Sequence, residues 1–214
     1  MPLFCNHMAM NEQTRQMIDV DLLLTWGAGY RKYSKGEVIF REGDIGYNYL
    51  QLVSGKVRWV NVDEEGKEFI QAFVQEGESF GELPMLDDGP YVATAIAEED
   101  STLLRLRKES FLQLLREHPS IHFSFTKLMT MRLRNKFIVL KELACQDPHR
   151  RIITILSQYK KAFNHVEDDE KMKVELTRQQ IANMTGLRVE TVIRTIRHLH
   201  EQGHLEIVRG KVYC

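Results

Sequence analysis

The sequence predicts an α+β protein: an antiparallel β domain, then a long helix, then a helix-turn-helix. Glycines recur between short apolar or alternating runs from Tyr30 to Leu106, a pattern typical of an antiparallel sandwich, barrel or jelly roll. A long helical pattern begins at Pro119, and proline favours the first position of a helix. Two shorter helical patterns flank Gly186, which suits a sharp turn between them.

Length and composition indicate a globular protein. The chain has 214 residues, which is long enough for one large or two ordinary domains. Its formal net charge is −1. No apolar run reaches the length of a membrane span, and the N-terminus lacks a signal-peptide pattern. The three cysteines, Cys5, Cys145 and Cys214, are too far apart and odd in number for a disulfide framework. We therefore expect a cytoplasmic protein with no membrane partner.

The first half alternates strands and turns. Residues from about Glu12 to Gly29 are predicted to form a short helix around Met17, Ile18, Leu22 and Leu23 and then a turn. The turn at Glu65-Gly66 is predicted to be a hairpin tip. The predicted strands are Val38–Phe40, Tyr49–Val53, Val57–Val62, Phe69–Val74, Val92–Ala97 and Thr102–Leu106.

A short helix from Lys108 to Glu117 precedes the long one, which runs to about Ala144. Lys136 interrupts an apolar seam on the long helix, and Phe137 beside it can take up the contact. The helix either pairs with a second copy or packs on its own β domain. Its seam follows the three- and four-residue spacing of a coiled coil: Met129, Leu133, Leu140 and Leu143.

The C-terminal third begins at a hinge. Asp147-Pro148 ends the long helix, because proline bars helical geometry before it, and Asp147 can cap the next helix, which runs from Arg150 to Phe163. The acidic run 167–170 is predicted to be a solvated loop. After Leu205, the strands 206–208 and 211–213 form a small wing.

The helix-turn-helix begins at Thr177. Its hydroxyl caps the first helix, and Gln180 completes a capping box. The second helix runs from about Val189 to Gln202, with Gly203 closing it. Its apolar positions follow helical spacing: Val189, Val192, Ile193, Ile196 and Leu199.

The other face of the second helix has base-reading chemistry. Arginine matches the two acceptors of a guanine edge, and glutamate accepts from cytosine. Glu190 and Arg194 lie one turn apart, so both can enter one groove, although an exposed ion pair is the simpler explanation of the two alone. The motif as a whole favours base reading. Arg209 and Lys211 in the wing can meet phosphates.

The segment TRQQIANMTGLRVETVIRTIRHLHEQG resembles the recognition segment of the Crp/Fnr regulators, and GLRVETVIR is closer to the anaerobic branch. The resemblance implies that Glu190 and Arg194 read a G·C pair in each half of a palindromic operator. Ile193 stands where the anaerobic branch has a serine that helps to choose sequence. The predicted DNA-binding residues are Thr177, Arg178, Gln179, Arg188, Glu190, Thr191, Arg194 and Lys211.

The first half is similar to the cyclic-nucleotide-binding domain through Gly55, VNVDEEGKEFI and FGELPMLDDG. The resemblance implies an antiparallel β-roll (a double-stranded jelly roll), in which a Gly-Glu-Leu turn holds the nucleotide's ribose–phosphate. Gly81 and Glu82 keep that turn. Alternatively, Glu82 occupies a tight turn and caps backbone amides.

The rest of the nucleotide site is missing. Val92 stands in place of the family's phosphate-binding arginine, and Lys136 and Phe137 replace two hydroxyls that contact the purine. Ala72 and Ala93 stand where the family has further residues that carry hydroxyl groups. A phosphodiester without a positive partner is expensive to bury, so we expect no cyclic AMP binding. Arg58 and Trp59 either serve another ligand or lie on an exposed sheet. The candidate effector-binding residues are Gly81, Glu82, Arg58 and Phe137.

Other chemistry is not indicated. The N-terminal cysteine cluster that binds iron–sulfur in the anaerobic branch is absent, so no such cofactor is expected. The helical-turn pairs His118/His122 and His200/His204 lack a third ligand nearby in sequence, which favours surface histidines over a metal site. The sequence contains no phosphate-binding glycine loop, no nucleophile elbow and no HExxH motif, so no enzyme is predicted.

The sequence thus predicts a homodimeric, DNA-binding transcription regulator of the Crp/Fnr type. Its predicted parts are a β-roll with flanking helices (1–117), a dimerisation helix (118–146) and a winged helix-turn-helix (147–214). Partners implied by the resemblance are double-stranded DNA, RNA polymerase and an unknown small-molecule effector. A small-molecule sensor acting on a protein partner is the alternative. The predicted dimer interface is Met129, Leu133, Phe137 and Leu140.

Overall fold

The structure is a computed structural model of the 214-residue chain, and it describes residues 16–144, 147–163 and 172–214. Some sequence predictions lie outside these residues. They are those for Cys5 and Cys145, for the first part of the N-terminal helix and for the acidic run 167–170.

The first half of the described chain is a β-roll. Its strands are β1 Gly29–Tyr33, β2 Val38–Phe40, β3 Asn48–Ser54, β4 Val57–Val62, β5 Glu68–Val74, β6 Ser79–Phe80, β7 Thr94–Ala97 and β8 Ser101–Arg107. They form two four-stranded antiparallel sheets with strand orders β1-β8-β3-β6 and β2-β7-β4-β5. The jelly-roll prediction is therefore confirmed. Helix α1 (Val20–Thr25) precedes the strands, and helix α2 (Leu83–Asp87) follows β6.

The two sheets enclose an apolar core. Leu52, Val57, Phe80 and Leu103 are fully buried in it. The predicted run from Val92 is too long, because β7 begins at Thr94 and Val92 is 58% exposed. β6 and α2 went unpredicted because elements of two and five residues are too short to show a periodicity.

Helix α3 (Lys108–Glu117) and the long helix α4 (Pro119–Ala144) follow the β-roll. Phe111 of α3 stacks on Tyr49 of β3 at 4.5 Å between ring centroids and meets Phe125 of α4 edge-on at 5.4 Å. All three rings are at most 1% exposed. This aromatic cluster attaches the start of α4 to its own β-roll.

Further along α4, apolar side chains point away from the β-roll. Leu133, Phe137 and Leu140 are 58%, 63% and 62% exposed. These three form the outer stripe of α4. Met129, predicted to share this seam, is half-buried and packs against the β-roll core instead. None of the helices in the described ranges is long and apolar enough to cross a membrane.

The C-terminal part is a winged helix-turn-helix. Its elements are α5 Pro148–Phe163, β9 Lys173–Val174, α6 Arg178–Thr185, α7 Val189–Glu201, β10 Glu206–Val208 and β11 Lys211–Tyr213. Asp147 caps α5 as predicted, since its carboxylate accepts from the His149 amide at 2.9 Å. The wing has a third strand that was not predicted, β9, which pairs with β11.

The aromatic cluster generates a stability prediction. Phe111→Ala should destabilise the protein by about 3–5 kcal/mol, because a fully buried ring leaves a cavity. Tyr30→Ala is the control, since Tyr30 is 55% exposed on β1. Urea unfolding curves measure both variants. Equal losses of stability would contradict the central place given to this cluster.

Candidate nucleic-acid interface and effector pocket

Local sequence fixes the start of the helix-turn-helix. The Gln180 amide donates to Thr177 Oγ1 at 3.1 Å, and the Thr177 amide donates to Gln180 Oε1 at 2.8 Å. This is the predicted capping box, which satisfies two amides that the helix leaves free. Gly186 then turns the chain with φ 68°, so that α7 begins at Val189.

Helix α7 has one buried and one exposed face. Val192, Ile196 and Leu199 are at most 1% exposed and face the core of the domain. Ile193 does not join them: it is 44% exposed, because it lies about 100° around the helix from Val192. The prediction that grouped Ile193 with the apolar face of this helix is therefore wrong. The exposed face carries Arg188, Glu190, Ile193, Arg194 and Arg197.

Glu190 and Arg194 are both exposed on this face. Within the described residues, no ion pair joins them to each other or to another side chain. The simpler explanation from sequence, an i,i+4 pair, is therefore not realised. The guanidinium and the carboxylate are both available to an incoming ligand.

The other predicted DNA contacts lie around this face. Thr177 and Gln179 are exposed at the N-terminus of α6, and Lys211 is exposed in the wing. Arg178 is half-buried, and this partial burial lowers the pKa of its guanidinium. Thr191 is half-buried on α7. A helix N-terminus with free amides beside exposed cations suits phosphate oxygens.

The predicted effector pocket is nearly filled by aromatic rings. Phe40 stacks on Tyr91 at 3.7 Å between centroids, and both rings contact the position where a Cβ on Gly81 would stand. Trp59 and Val92 also line this cavity, whose volume is about 10 Å³. That is room for about one water molecule, whereas ligand pockets usually measure about 300–1,000 Å³.

Glu82 is 1% exposed, and its carboxylate pairs with Arg132 of α4. Nη2 of Arg132 also donates to the Ser79 carbonyl at 2.6 Å. The sequence alternative in which Glu82 caps backbone amides is wrong, because this helix N-cap makes no side-chain cap bond. Arg132 was not selected from the sequence. The available signal was its place one helical turn before Lys136.

Lys136 and Arg58 also have protein partners. Nζ of Lys136 donates to Gln71 Oε1 of β5 at 2.6 Å, and desolvation followed by the charge of Arg132 lowers its pKa. Arg58 contacts Glu98 at 2.6 Å and Glu68 at 3.2 Å. Its side chain is 20% exposed, so the exposed-sheet interpretation is wrong. Phe137, the other candidate, faces outward on α4.

Comparison with known proteins agrees with this architecture. The cyclic nucleotide-binding domain family matches residues 30–118, and the Crp-like helix-turn-helix domain family matches residues 150–214. The Cyclic AMP receptor protein of Thermus thermophilus is 31% identical over 195 residues, covering 91% of this chain and 87% of its own. A cAMP-activated global transcriptional regulator of Pasteurella multocida is 28% identical and covers 90% and 93%.

Solved structures share the fold. A CooA mutant from Carboxydothermus hydrogenoformans superposes with a TM-score of 0.75 at 22% identity, covering 90% of this chain and 84% of that one. The c-di-GMP-responsive regulator CLP of Xanthomonas campestris gives 0.73 at 20% identity, covering 90% and 96%. The chain belongs to the Crp/Fnr family of DNA-binding transcription regulators.

The pair of Glu82 and Arg132 generates a second stability prediction. Arg132→Met should destabilise the protein by about 3–5 kcal/mol, because it leaves a buried carboxylate without a partner. Adding Glu82→Gln should recover most of that loss, since the amide carries no charge. Chemical denaturation of the single and double variants measures both. Equal stability of the two variants would show that the pair is not the reason for the loss.

Proposed function

We propose that this protein is a homodimer that binds a palindromic operator and regulates transcription. The main support is the exposed face of α7, where neither the guanidinium of Arg194 nor the carboxylate of Glu190 has a partner among the described residues. An unpaired cation and anion one turn apart gain little on a solvated surface. They gain a great deal against the donors and acceptors of a G·C pair in the major groove.

The homodimer is supported by the outer stripe of α4. Leu133, Phe137 and Leu140 form an apolar surface that a second α4 would cover. A symmetric pair of chains presents two α7 helices, which suits two half-sites about one DNA turn apart. Leu133, Phe137 and Leu140 therefore remain the proposed interface, whereas Met129 packs against the β-roll core.

The proposed effector is a small molecule other than cyclic AMP, or none. Two features support this proposal: the aromatic filling of the cavity beside Gly81, and Val92 in place of a cation. Binding a nucleotide there would require Phe40, Trp59 and Tyr91 to move apart. Several relatives are named for cyclic AMP, whereas in this chain Glu82 pairs with Arg132 and valine stands at position 92. The proposed partners are double-stranded DNA and RNA polymerase, and the proposed location is the cytoplasm.

Selection of DNA from a random pool by the purified, ligand-free protein tests the proposal. We expect a palindromic site with a TGA-like half-site, recovered equally with and without added cyclic AMP. A site recovered only with cyclic AMP would contradict the argument from Val92. A site without two-fold symmetry would contradict the dimer.

Substitution of the reading face gives a sharper prediction. Arg194→Ala should weaken operator binding by about 1–3 kcal/mol and relax the preference for guanine at one position. Lys211→Ala is the matched control: it should weaken binding to all sequences alike and reduce the salt dependence. Fluorescence anisotropy on the selected site and on single-base variants measures both. If Arg194→Ala kept the preference for guanine, Arg194 would not be the residue that recognises this base.

A further inference from the structure

The winged helix-turn-helix shares an apolar core with its own β-roll. Val60 of β4 and Ile70 and Phe73 of β5 are buried in the same cluster as residues of the DNA-binding part. β5 is the edge strand of its sheet, and α6 packs on it. Ile181 and Ala182 of α6 are at most 1% exposed in this cluster. The first helix of the helix-turn-helix thus packs against the edge strand of this sheet.

A polar contact lies at one end of this packing. Nε2 of Gln180 donates to Glu98 Oε1, beyond β7, at 2.9 Å. The same Gln180 side chain closes the capping box of α6 through its oxygen, so both of its polar atoms are used. Arg58 of β4 holds the other oxygen of Glu98 at 2.6 Å. Arg58 therefore holds the carboxylate in position beside the N-terminus of α6, where negative charge is favourable.

The other end of α6 lies beside the tip of the β4–β5 hairpin. Asn183 and Gly186 line a cleft of about 290 Å³ together with hairpin residues that include Asn61 and Lys67. The whole length of α6 therefore follows the β4–β5 pair, from Glu98 to the hairpin tip.

Strand β4 connects this packing to the effector pocket. Trp59 lines the pocket, whereas its neighbour Val60 belongs to the shared core. The register of β4 with β5 shifts between these two residues, which marks a bulge. Trp59 in the pocket is thus directly bonded to Val60 in the core that α6 shares, so a shift of Trp59 would be transmitted to that core.

We propose that β4, β5 and α6 form a joint that fixes the reading helix relative to its own β-roll. The joint consists of the apolar contact of Val60, Ile70 and Phe73 with α6 and the Glu98–Gln180 hydrogen bond that closes it. By holding the domain in place, the joint spares the dimer the cost of ordering two domains when it binds DNA. The joint goes beyond the proposed function, but the DNA-binding measurement that tests the joint rests on the proposed function.

Two substitutions at Glu98 test the joint in the full-length protein. Glu98→Ala removes the acceptor of Gln180 and should reduce operator affinity by about threefold to tenfold. Charge alone predicts the opposite, because losing a carboxylate near a DNA-binding surface strengthens phosphate binding. Glu98→Gln keeps the acceptor oxygen and should stay within about twofold of the unmodified protein. Glu99→Ala, which removes an exposed neighbouring carboxylate, is the control.

A second pair of variants changes the contact from the α6 side. Gln180→Glu preserves the capping box but sets two carboxylates against each other, so the joint should open. Adding Glu98→Gln restores a donor and should close it again. Hydrogen exchange of the β5 amides reports the joint without DNA, and we expect exchange to rise by about fivefold in Gln180→Glu and to recover in the double variant.

The outcomes are distinct. Unchanged β5 exchange in Gln180→Glu would overturn the joint, and operator affinity that rises in Glu98→Ala would overturn its proposed contribution to DNA binding. Failure of the unmodified protein to select any DNA would instead count against the proposed function, and the exchange measurements would still decide whether the joint exists.

Discussion

A carboxylate removed from water requires a positive partner, and the carboxylate of Glu82 has Arg132 on α4. This pair joins the turn after β6 to the middle of the long helix, and so sets the rotation of α4 about its axis. Lys136, one turn later, consequently faces β5 and donates to Gln71. Leu133 and Phe137 face the other way, exposed. The surface available to a second copy of the chain therefore depends on one buried ion pair.

The same part of the β-roll supports the proposal that cyclic AMP is not the effector. One carboxylate oxygen of Glu82 pairs with Arg132, and the space beside Gly81 is filled by the stacked rings of Phe40 and Tyr91. Valine at position 92 offers no positive charge to a phosphate. A ligand at this site would therefore have to displace the stacked rings.

The DNA-binding part also depends on the β-roll. Its core continues into β4 and β5, so the two parts are packed together and not merely linked through α4 and α5. Helix α6, which contacts both α7 and β5, connects the helix-turn-helix to the sheet whose strand β4 carries Trp59.

The sequence by itself determined the features that depend on neighbouring residues. The capping box of Thr177 and Gln180, the left-handed turn at Gly186 and the strand at Val57–Val62 are set by local hydrogen bonds, backbone freedom or alternation. Helical spacing also gave the exposed face of α7, apart from Ile193. Tertiary structure alone decided which distant polar and charged side chains meet. Arg132 with Glu82, Arg58 with Glu98 and Gln180 with Glu98 are separated by 50, 40 and 82 positions. Such pairings have no periodicity along the chain, because they are fixed by the packing of whole elements.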